Sequence, residues 1–311
     1  VNGDGYSDVI VGAYNYDTAN PNAGKAYVYH GSSTGLSTTP AWTSSGDNQA
    51  QARFCVASNA GDVNGDGYGD VIVTARYHDT TGADAGKAYV YHGSAAGLST
   101  TPAWTSSGDD QAGAQYGNSV AAAGDVNGDG YGDVIVGAYY CDTPTSNAGK
   151  AYVYLGSSTG LSTTAAWTST GDNQADAEFG YSVGCAGDVN GDGYADVIVG
   201  AWVHDSITGK AYVYHGSSTG LSTSAIWTST GDTQVNAGFG FSVASAGDVN
   251  GDGFSDVIVG ARQYDTPAQD AGKVYVYYGS GTTLATTAAW SSSGDDAANV
   301  LSGWRVVGVG D

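Results

Sequence analysis

One acidic loop recurs along the chain and carries residues able to bind a metal ion. In the copy that runs from Asp62 to Asp70, oxygen-bearing side chains stand at loop positions 1, 3, 5 and 9. Glycine at position 6 permits the sharp backbone reversal that alternate ligation requires. Calcium prefers such carboxylate, amide and carbonyl oxygens, with about six to eight of them at roughly 2.3–2.6 Å. The loop therefore predicts a calcium site, in which the backbone carbonyl of position 7 is a further ligand.

Four complete copies and one split copy of this loop supply the predicted ligands. A helix-loop-helix calcium site would need Glu at position 12, where Val73 stands inside a strand-like segment, so we expect a β-type loop. The plain alternative is a hairpin turn, because Asp-Gly and Asn-Gly are turn signals, but the repeated acidic spacing favours about one Ca²⁺ per repeat, four or five in all. The ligands of the complete copies are Asp62, Asn64, Asp66, Tyr68, Asp70, Asp125, Asn127, Asp129, Tyr131, Asp133, Asp188, Asn190, Asp192, Tyr194, Asp196, Asp248, Asn250, Asp252, Phe254 and Asp256. The split copy comprises Asp311, Asn2, Asp4, Tyr6 and Asp8.

The charge and hydropathy of the chain argue against nucleic-acid and membrane partners. The chain has 31 acidic and 9 basic residues and a formal net charge of −22. Nucleic-acid binding depends on Lys and Arg that neutralise phosphates, so we predict no nucleic-acid partner. No apolar run reaches the roughly 18 residues of a membrane span, so we also predict no insertion into a membrane.

Five sequence repeats fill the chain, and they predict its fold. The repeats are residues 1–62, 63–125, 126–188, 189–248 and 249–311. Each contains four short segments rich in β-branched and aromatic residues, and none shows a helical period. Four strands per repeat, arranged in a ring, are typical of a β-propeller, whereas an open solenoid is the alternative. We therefore predict an all-β chain, a single β-propeller domain over 1–311 built of four-stranded antiparallel blades.

A specific resemblance covers all five repeats and is clearest where the fourth repeat passes into the fifth. Phe239–Val243 and Ala246–Ala261, which include Phe-Gly, the acidic loop and Gly-Ala, are similar to the FG-GAP repeat of integrin α-subunit propellers. The resemblance implies a ring of four-stranded FG-GAP blades, with calcium in the loop between the innermost and second strands, and an extracellular or cell-surface location. The five repeats then predict five blades. The chain departs from the family pattern in having five repeats where integrin rings have seven.

The register of the chain ends predicts how the ring closes. Asp311 occupies loop position 1 and Val1 occupies position 2. If the two ends meet, the segment from Trp304 to Val309 becomes the innermost strand of the first blade and completes the split calcium site. The alternative is that this sequence is a window from a longer ring.

Residues that follow the second strand are the predicted ligand contacts. The proline of the family's Gly-Ala-Pro is replaced there by residues of varied size and charge: Tyr14, Arg76, Tyr139, Trp202 and Arg262. In the related family the corresponding face, opposite the calcium loops, binds ligand, and aromatic and Arg side chains are frequent anchors of binding surfaces. These positions predict a protein or carbohydrate ligand, and unconstrained drift of exposed loops is the alternative.

No repeat offers a set of catalytic groups. The segment Gly31–Gly35 matches a nucleophile-elbow pattern, but it recurs in turns between strands and lacks the paired His and acid. A lysine repeated in each unit, such as Lys87, is expected to pair with nearby acids or to lie at a strand edge. We predict a non-catalytic extracellular binding or adhesion module, and leave its oligomeric state open. The alternatives are a structural or engineered repeat scaffold and the propeller domain of a polysaccharide-cleaving enzyme.

Overall fold

The computed structural model describes residues 1–294 and 297–309, and short β-strands account for nearly all of their regular structure. The strands are β1 (Val9–Ala13), β2 (Lys25–Tyr29), β3 (Trp42–Ser44), β4 (Phe54–Gly61), β5 (Asp70–Ala75), β6 (Lys87–Tyr91), β7 (Trp104–Ser106), β8 (Ser119–Gly124), β9 (Asp133–Ala138), β10 (Lys150–Tyr154), β11 (Trp167–Ser169), β12 (Ser182–Gly187), β13 (Asp196–Ala201), β14 (Lys210–Tyr214), β15 (Trp227–Ser229), β16 (Phe239–Gly247), β17 (Asp256–Ala261), β18 (Lys273–Tyr277) and β19 (Trp290–Ser292). A short helical turn, α1 (His204–Ile207), precedes β14. Within these described ranges, no helix has the length and apolar character needed to cross a bilayer.

The chain divides into two compact units. The first comprises Val1–Ala122, Gly130–Cys141 and Tyr152–Ala166, and the second comprises Ala123–Asp129, Asp142–Ala151 and the chain from Trp167 onward. The expectation of a single domain over the whole chain stays a prediction.

The strands form antiparallel sheets in which sequence neighbours pair. The first unit contains a three-stranded sheet, β1-β2-β3, and a four-stranded sheet, β4-β5-β6-β7. The second unit contains the sheets β12-β13-β14-β15 and β16-β17-β18-β19, and strands β8 to β11 form a further four-stranded sheet. Meandering antiparallel sheets of this kind are β-propeller blades, which confirms the predicted fold class.

The first sheet differs from the others. In each four-stranded sheet the innermost strand comes directly before the acidic loop, and the second strand comes directly after it. Strand β1 corresponds to a second strand, and only the first acidic loop stands before it in this sequence. The structure has no strand in the segment 304–309, which we expected to supply the missing strand. The Val306 N–H instead donates to Ser242 Oγ, within the second unit. Closure of the first blade by this segment therefore stays a prediction.

Burial on both faces explains the composition of the second strand in each sheet. All six residues of β5 and of β13 are buried, as expected for a continuous Val-Ile-Val run. In the first unit Ile72 belongs to a core that includes Val90 and Val134, and in the second unit Ile198 packs in a core with Tyr275. Strand β1, which lacks an inner neighbour, leaves Val9 and Val11 exposed by 42% and 46%.

Candidate functional site

The acidic loops occupy one structural position in their sheets. Residues 62–70 join β4 to β5, residues 125–133 join β8 to β9, residues 188–196 join β12 to β13, and residues 248–256 join β16 to β17. Each loop thus connects the innermost strand to the second strand, as the resemblance implied.

The loop between β12 and β13 is folded around its own oxygen atoms. Asp188 Oδ1 accepts hydrogen bonds from the backbone N–H groups of Gly191, at 2.7 Å, and Asp192, at 3.1 Å. Asn190 Oδ1 accepts from the N–H of Asp192 at 3.0 Å, and Asp192 Oδ1 accepts from that of Tyr194 at 3.0 Å. The side chains at positions 1, 3 and 5 therefore fix the backbone of the loop that carries them.

The carboxylate at position 9 is buried where this loop enters the sheet. Asp196 has no exposed surface, and its two oxygen atoms accept the backbone N–H groups of Val189 and Gly216, both at 2.9 Å. Burial raises the pKa of Asp196 to about 7, and the negative charges of Asp192 and Asp188 act in the same direction. The three carboxylates of one loop therefore repel one another, and a bound cation would relieve this repulsion.

The same arrangement recurs in the other complete loops. Asp62 Oδ1 accepts from the N–H of Gly65 at 2.7 Å, and buried Asp70 accepts from the N–H of Val63 at 2.9 Å. Burial raises the pKa of Asp70 and of Asp256. The remaining predicted ligands lie at the corresponding loop positions: Asn64, Asp66 and Tyr68; Asp125, Asn127, Asp129, Tyr131 and Asp133; and Asp248, Asn250, Asp252 and Phe254.

The first loop places Asp8 against the nitrogen of Val1. That nitrogen lies 2.7 Å from Asp8 Oδ2, the position that the backbone N–H of Val63 has relative to Asp70 in the second loop. Asn2 Nδ2 donates to Asp4 Oδ2 at 2.9 Å, and Asp4 Oδ1 accepts from the N–H of Tyr6 at 3.0 Å. Asp311 lies outside the described residues, so the split site stays a prediction.

The loop residues fit calcium by the chemistry of their donors. Every predicted ligand offers a carboxylate, amide or carbonyl oxygen, and a carboxylate oxygen that accepts one N–H retains another lone pair. As the side chains stand, no group of three or more His, Cys, Asp or Glu residues within 1–294 and 297–309 converges closely enough to hold a metal ion. The donor types and the fold of the loop therefore suit calcium. The carboxylates of a loop would have to move closer together when the ion binds.

Sequence reasoning missed an aromatic contact between successive loops. In the first unit the ring of Tyr131, at position 7, lies against Gly65, at position 4 of the preceding loop, and a Cβ on Gly65 would come within 2.5 Å of it. In the second unit Phe254 covers Gly191 in the same way, at 2.6 Å. The signal was available, because every loop has glycine at position 4 and an aromatic residue at position 7.

The predicted ligand contacts of the first unit differ in their exposure. Half-buried Tyr14 and Arg76 touch each other, because Arg76 Nη2 donates to the Tyr14 hydroxyl at 3.1 Å. Tyr139 is only 7% exposed, and its hydroxyl donates to Gln115 Oε1 at 2.8 Å. Tyr14 and Arg76 therefore keep part of their surface exposed, whereas Tyr139 exposes little.

In the second unit the predicted contacts Trp202 and Arg262 are part of an aromatic cage around the arginine side chain. The Arg262 Cζ atom lies 4.6 Å from the ring centroid of Trp202, 4.2 Å from that of Phe241 and 5.0 Å from that of Trp304. Burial lowers the pKa of the Arg262 guanidinium. Trp202 Nε1 donates to Glu178 Oε2 at 2.6 Å. The cation in this cage is therefore half-buried, whereas one of the surrounding residues, Trp304, is 53% exposed.

A second set of residues on these surfaces was not predicted. Arg53, Gln115 and Glu178 each stand directly before the Phe-Gly pair or its equivalent, and we call this the entry position. Their φ angles are 58°, 52° and 56°, a left-handed backbone that is uncommon for such residues. The residue after the second strand, such as Trp202, is called the exit position. Entry and exit side chains meet, as Gln115 meets Tyr139, and no short-range sequence pattern indicates this pairing.

Comparison with protein families agrees with this architecture. FG-GAP repeats are matched at residues 56–91, 116–154, 179–214 and 239–277, and an FG-GAP-like repeat is matched at residues 1–73. Together these matches cover more than half of the chain.

Curated relatives with similar sequences are integrin α subunits. Integrin alpha-6 of Gallus gallus is 35% identical over 150 residues, which are 47% of this chain and 13% of that protein. Integrin alpha-4 of Xenopus laevis is 31% identical over 162 residues, 51% of this chain and 15% of the relative. Integrin alpha pat-2 of Caenorhabditis briggsae is 37% identical over 164 residues, again 47% of this chain and 13% of the relative. The matches thus span about half of this chain and a small part of each relative. By its repeats and its sheets, the chain belongs to the FG-GAP repeat family.

Proposed function

We propose that this chain is a calcium-stabilised extracellular adhesion module that recognises a protein ligand. The similarity to integrin α subunits supports an adhesion role and a protein ligand, whereas nothing favours the carbohydrate ligand that the sequence left open. No repeat carries a unique set of acid–base groups, so the proposal is for binding without catalysis.

The observation that carries the proposal is the repeated acidic loop with a buried carboxylate. In the second unit Asp196 and Asp256 are fully buried, and each is raised in pKa first by burial and then by other carboxylates of its own loop. Calcium held by the oxygen atoms of positions 1, 3, 5, 7 and 9 would neutralise these charges. An ion that binds only the folded chain adds about 2.7 kcal/mol per site at a free concentration 100 times its Kd.

Thermal unfolding with calcium and then with a chelator tests the metal. We expect chelation to lower the melting temperature by well over ten degrees, and native mass spectrometry to count about one ion per loop. A melting temperature that does not respond, together with no bound ion, would reduce the acidic loops to turns. Magnesium in place of calcium is the control, because its octahedral geometry and strong hydration suit this donor set poorly.

A binding survey tests the ligand. The exit residues Tyr14 and Arg76 of the first unit, and Trp202 and Arg262 of the second, are the proposed contacts. The calcium-loaded chain should bind at least one extracellular matrix protein immobilised on a surface, and chelation should abolish that binding.

The near-identity of the repeats favours a second candidate, a structural or engineered scaffold with no selected ligand. A calcium-stabilised chain that binds none of a broad panel of matrix and cell-surface proteins would support the scaffold and reject the adhesion module.

A further inference from the structure

Two arginines of the first unit stack on the same pair of tyrosines. The Cζ atoms of Arg53 and Arg76 lie 4.4 Å and 5.5 Å from the ring centroid of Tyr14, and 4.6 Å and 4.9 Å from that of Tyr77. Arg53 Nη1 and Arg76 Nη2 both donate to the Tyr14 hydroxyl, and Arg76 Nη1 donates to Asn118 Oδ1 at 2.6 Å. Two like charges are therefore held side by side, half-buried, on aromatic surfaces.

These two cations have no neutralising acid within residues 1–294 and 297–309. Among the residues that the structure describes, neither Arg53 nor Arg76 forms an ion pair, and the buried Nε atom of each lacks a hydrogen-bond partner. This is unexpected in a chain with 31 acidic and 9 basic residues. Repulsion between like charges costs free energy, so a ligand that brings an anionic acceptor to these guanidinium groups would be favoured here.

The corresponding positions of other sheets show what is missing. In the sheet of β8 to β11, the entry residue Gln115 accepts a hydrogen bond from the exit residue Tyr139 at 2.8 Å, within the first unit. In the second unit, the entry residue Glu178 accepts from the exit residue Trp202 at 2.6 Å. Each of these pairs joins an acceptor to a donor. The sheet of β4 to β7 instead places donors, Arg53 and Arg76, at both positions.

The nearby thiol does not supply the missing anion. Cys55 follows Arg53 by two residues, and both arginines act on it electrostatically. Burial nevertheless raises the pKa of Cys55 to about 11, so the group is a neutral thiol at physiological pH. The acceptor has to come from outside this cluster.

We infer that Arg53 and Arg76 form a receptor for the carboxylate of an acidic side chain on the protein ligand. This inference rests on the proposed function, because the two arginines lie at the surface assigned to ligand contact. A planar guanidinium presents paired N–H donors that match a carboxylate, and stacking on Tyr14 and Tyr77 fixes both planes before binding. The pre-ordered pair would reject basic segments by repulsion and accept acidic ones.

Arginine side-chain NMR tests this directly, because the chain has four arginines and hence four Nε–H signals. The probe is a blocked single residue, N-acetyl-glutamate methylamide, and its matched control is N-acetyl-glutamine methylamide. We expect the glutamate probe to shift the Arg53 and Arg76 signals in a saturable manner and to leave the exposed Arg305 unchanged. Equal responses to both probes, or none, would overturn the inference. Inorganic sulfate is the third probe, and tighter binding of sulfate than of the glutamate probe would reject an acidic side chain as the ligand group.

A charge-reversal variant separates binding from folding. Arg53→Glu places at this entry position the acid that Glu178 supplies elsewhere, so it should pair internally with Arg76 and raise or preserve the melting temperature. Binding of the glutamate probe should fall at least about tenfold, as expected for loss of a charged hydrogen bond. Arg305→Glu makes the same change in net charge and should leave binding intact. Unchanged binding by Arg53→Glu would refute the receptor.

The matrix-protein survey distinguishes this inference from the proposed function. If Arg53→Glu binds the matrix protein as the parent does, the arginine receptor is wrong and the adhesion module stands. If the parent binds the glutamate probe but no matrix protein, the anion site is real and the adhesion function is wrong.

Discussion

Trp227 donates its indole Nε1–H to the backbone carbonyl of Ala285 at 2.9 Å, and this bond joins one repeat of the second unit to the next. Its ring is 4% exposed and packs edge-to-face on Tyr277, with 4.9 Å between centroids. Trp290 occupies the same place in the last repeat and is 50% exposed. The two residues therefore provide a buried and an exposed version of one sequence position.

The first prediction uses this natural contrast. Trp227→Phe removes the indole N–H and leaves the Ala285 carbonyl without its partner, so we expect a loss of about 1–3 kcal/mol in the free energy of unfolding. Trp290→Phe should change stability by less than about 0.5 kcal/mol, because exposed positions contribute little. Urea unfolding of both variants in calcium measures the difference. Equal losses would show that the hydrogen bond and burial of Trp227 do not stabilise the repeat contact.

Repetition made the fold and the loop positions predictable from sequence. The Val-Ile-Val run appears in every repeat, and a strand buried on both faces, such as β5, requires that composition. Strand order then follows because neighbouring strands in the sequence pair. The acidic loop was identifiable because its oxygen donors are spaced within nine residues.

Contacts between repeats could not be predicted, because they depend on how the repeats pack. Tyr131 covers Gly65 from 66 positions along the sequence, and only the folded first unit brings them together. The stacking of Arg53 and Arg76 on Tyr14 similarly joins residues that are distant in the sequence, and Arg53 has a left-handed backbone with φ of 58°. Within-repeat patterns contain neither fact.

The second prediction concerns the lysine repeated in each unit. Lys87 Nζ lies 2.6 Å from Asp47 Oδ2 in the first unit, and Tyr89 donates its hydroxyl to the same oxygen at 3.1 Å. Lys210 and Lys273 make equivalent ion pairs in the second unit, so the expectation that these lysines pair with acids is confirmed for all three. Asp47→Asn should cost about 1 kcal/mol, since the partly exposed ion pair is weak and the phenol hydrogen bond adds to it.

Asp84→Asn is the matched control for this ion pair, because it also removes one negative charge from an exposed position of the first unit. Chemical denaturation of the two variants in the same buffer should show a loss for Asp47→Asn alone. Burial would raise the pKa of Asp47, but the ion pair with Lys87 holds that pKa below its ordinary value. The contribution of the ion pair to folding stability is therefore present above about pH 4 and disappears as the pH falls through the pKa of Asp47 in the folded chain. A loss that persisted in acid would assign the effect to packing.

The third prediction separates a calcium ligand from a turn residue. Asp192→Asn keeps an oxygen that can accept the N–H of Tyr194 but removes one of three interacting carboxylates. In excess calcium the variant should melt below the parent and bind one ion fewer by native mass spectrometry. With a chelator the order should reverse or vanish, because repulsion of Asp196 is relieved. A variant that is equally destabilised in both conditions would show that Asp192 supports the turn and does not bind calcium.

The fourth prediction concerns the buried carboxyl of Glu178. Burial raises its pKa to about 7 from an ordinary 4.5, the charge of Asp176 adds to this, and the hydrogen bond from Trp202 and the charge of Arg262 oppose it. The folded chain therefore holds a proton that the unfolded chain releases. Its stabilising effect is fully present below about pH 4.5, declines as the pH rises toward 7, and is absent above.

Glu178→Gln keeps an acceptor for Trp202 but cannot ionise, so its free energy of unfolding should lack this decline. Parent and variant should be similar in stability near pH 5, and the variant should be more stable near pH 8 by on the order of 2 kcal/mol. Urea unfolding at several pH values across this range measures the difference in free energy of unfolding between parent and variant. Titratable groups that both proteins share contribute equally and cancel in this difference. Asp176→Asn, at an exposed neighbour, should keep most of the parent's pH dependence. Parallel curves for the parent and Glu178→Gln would show that Glu178 is ionised throughout this range and that burial does not control it.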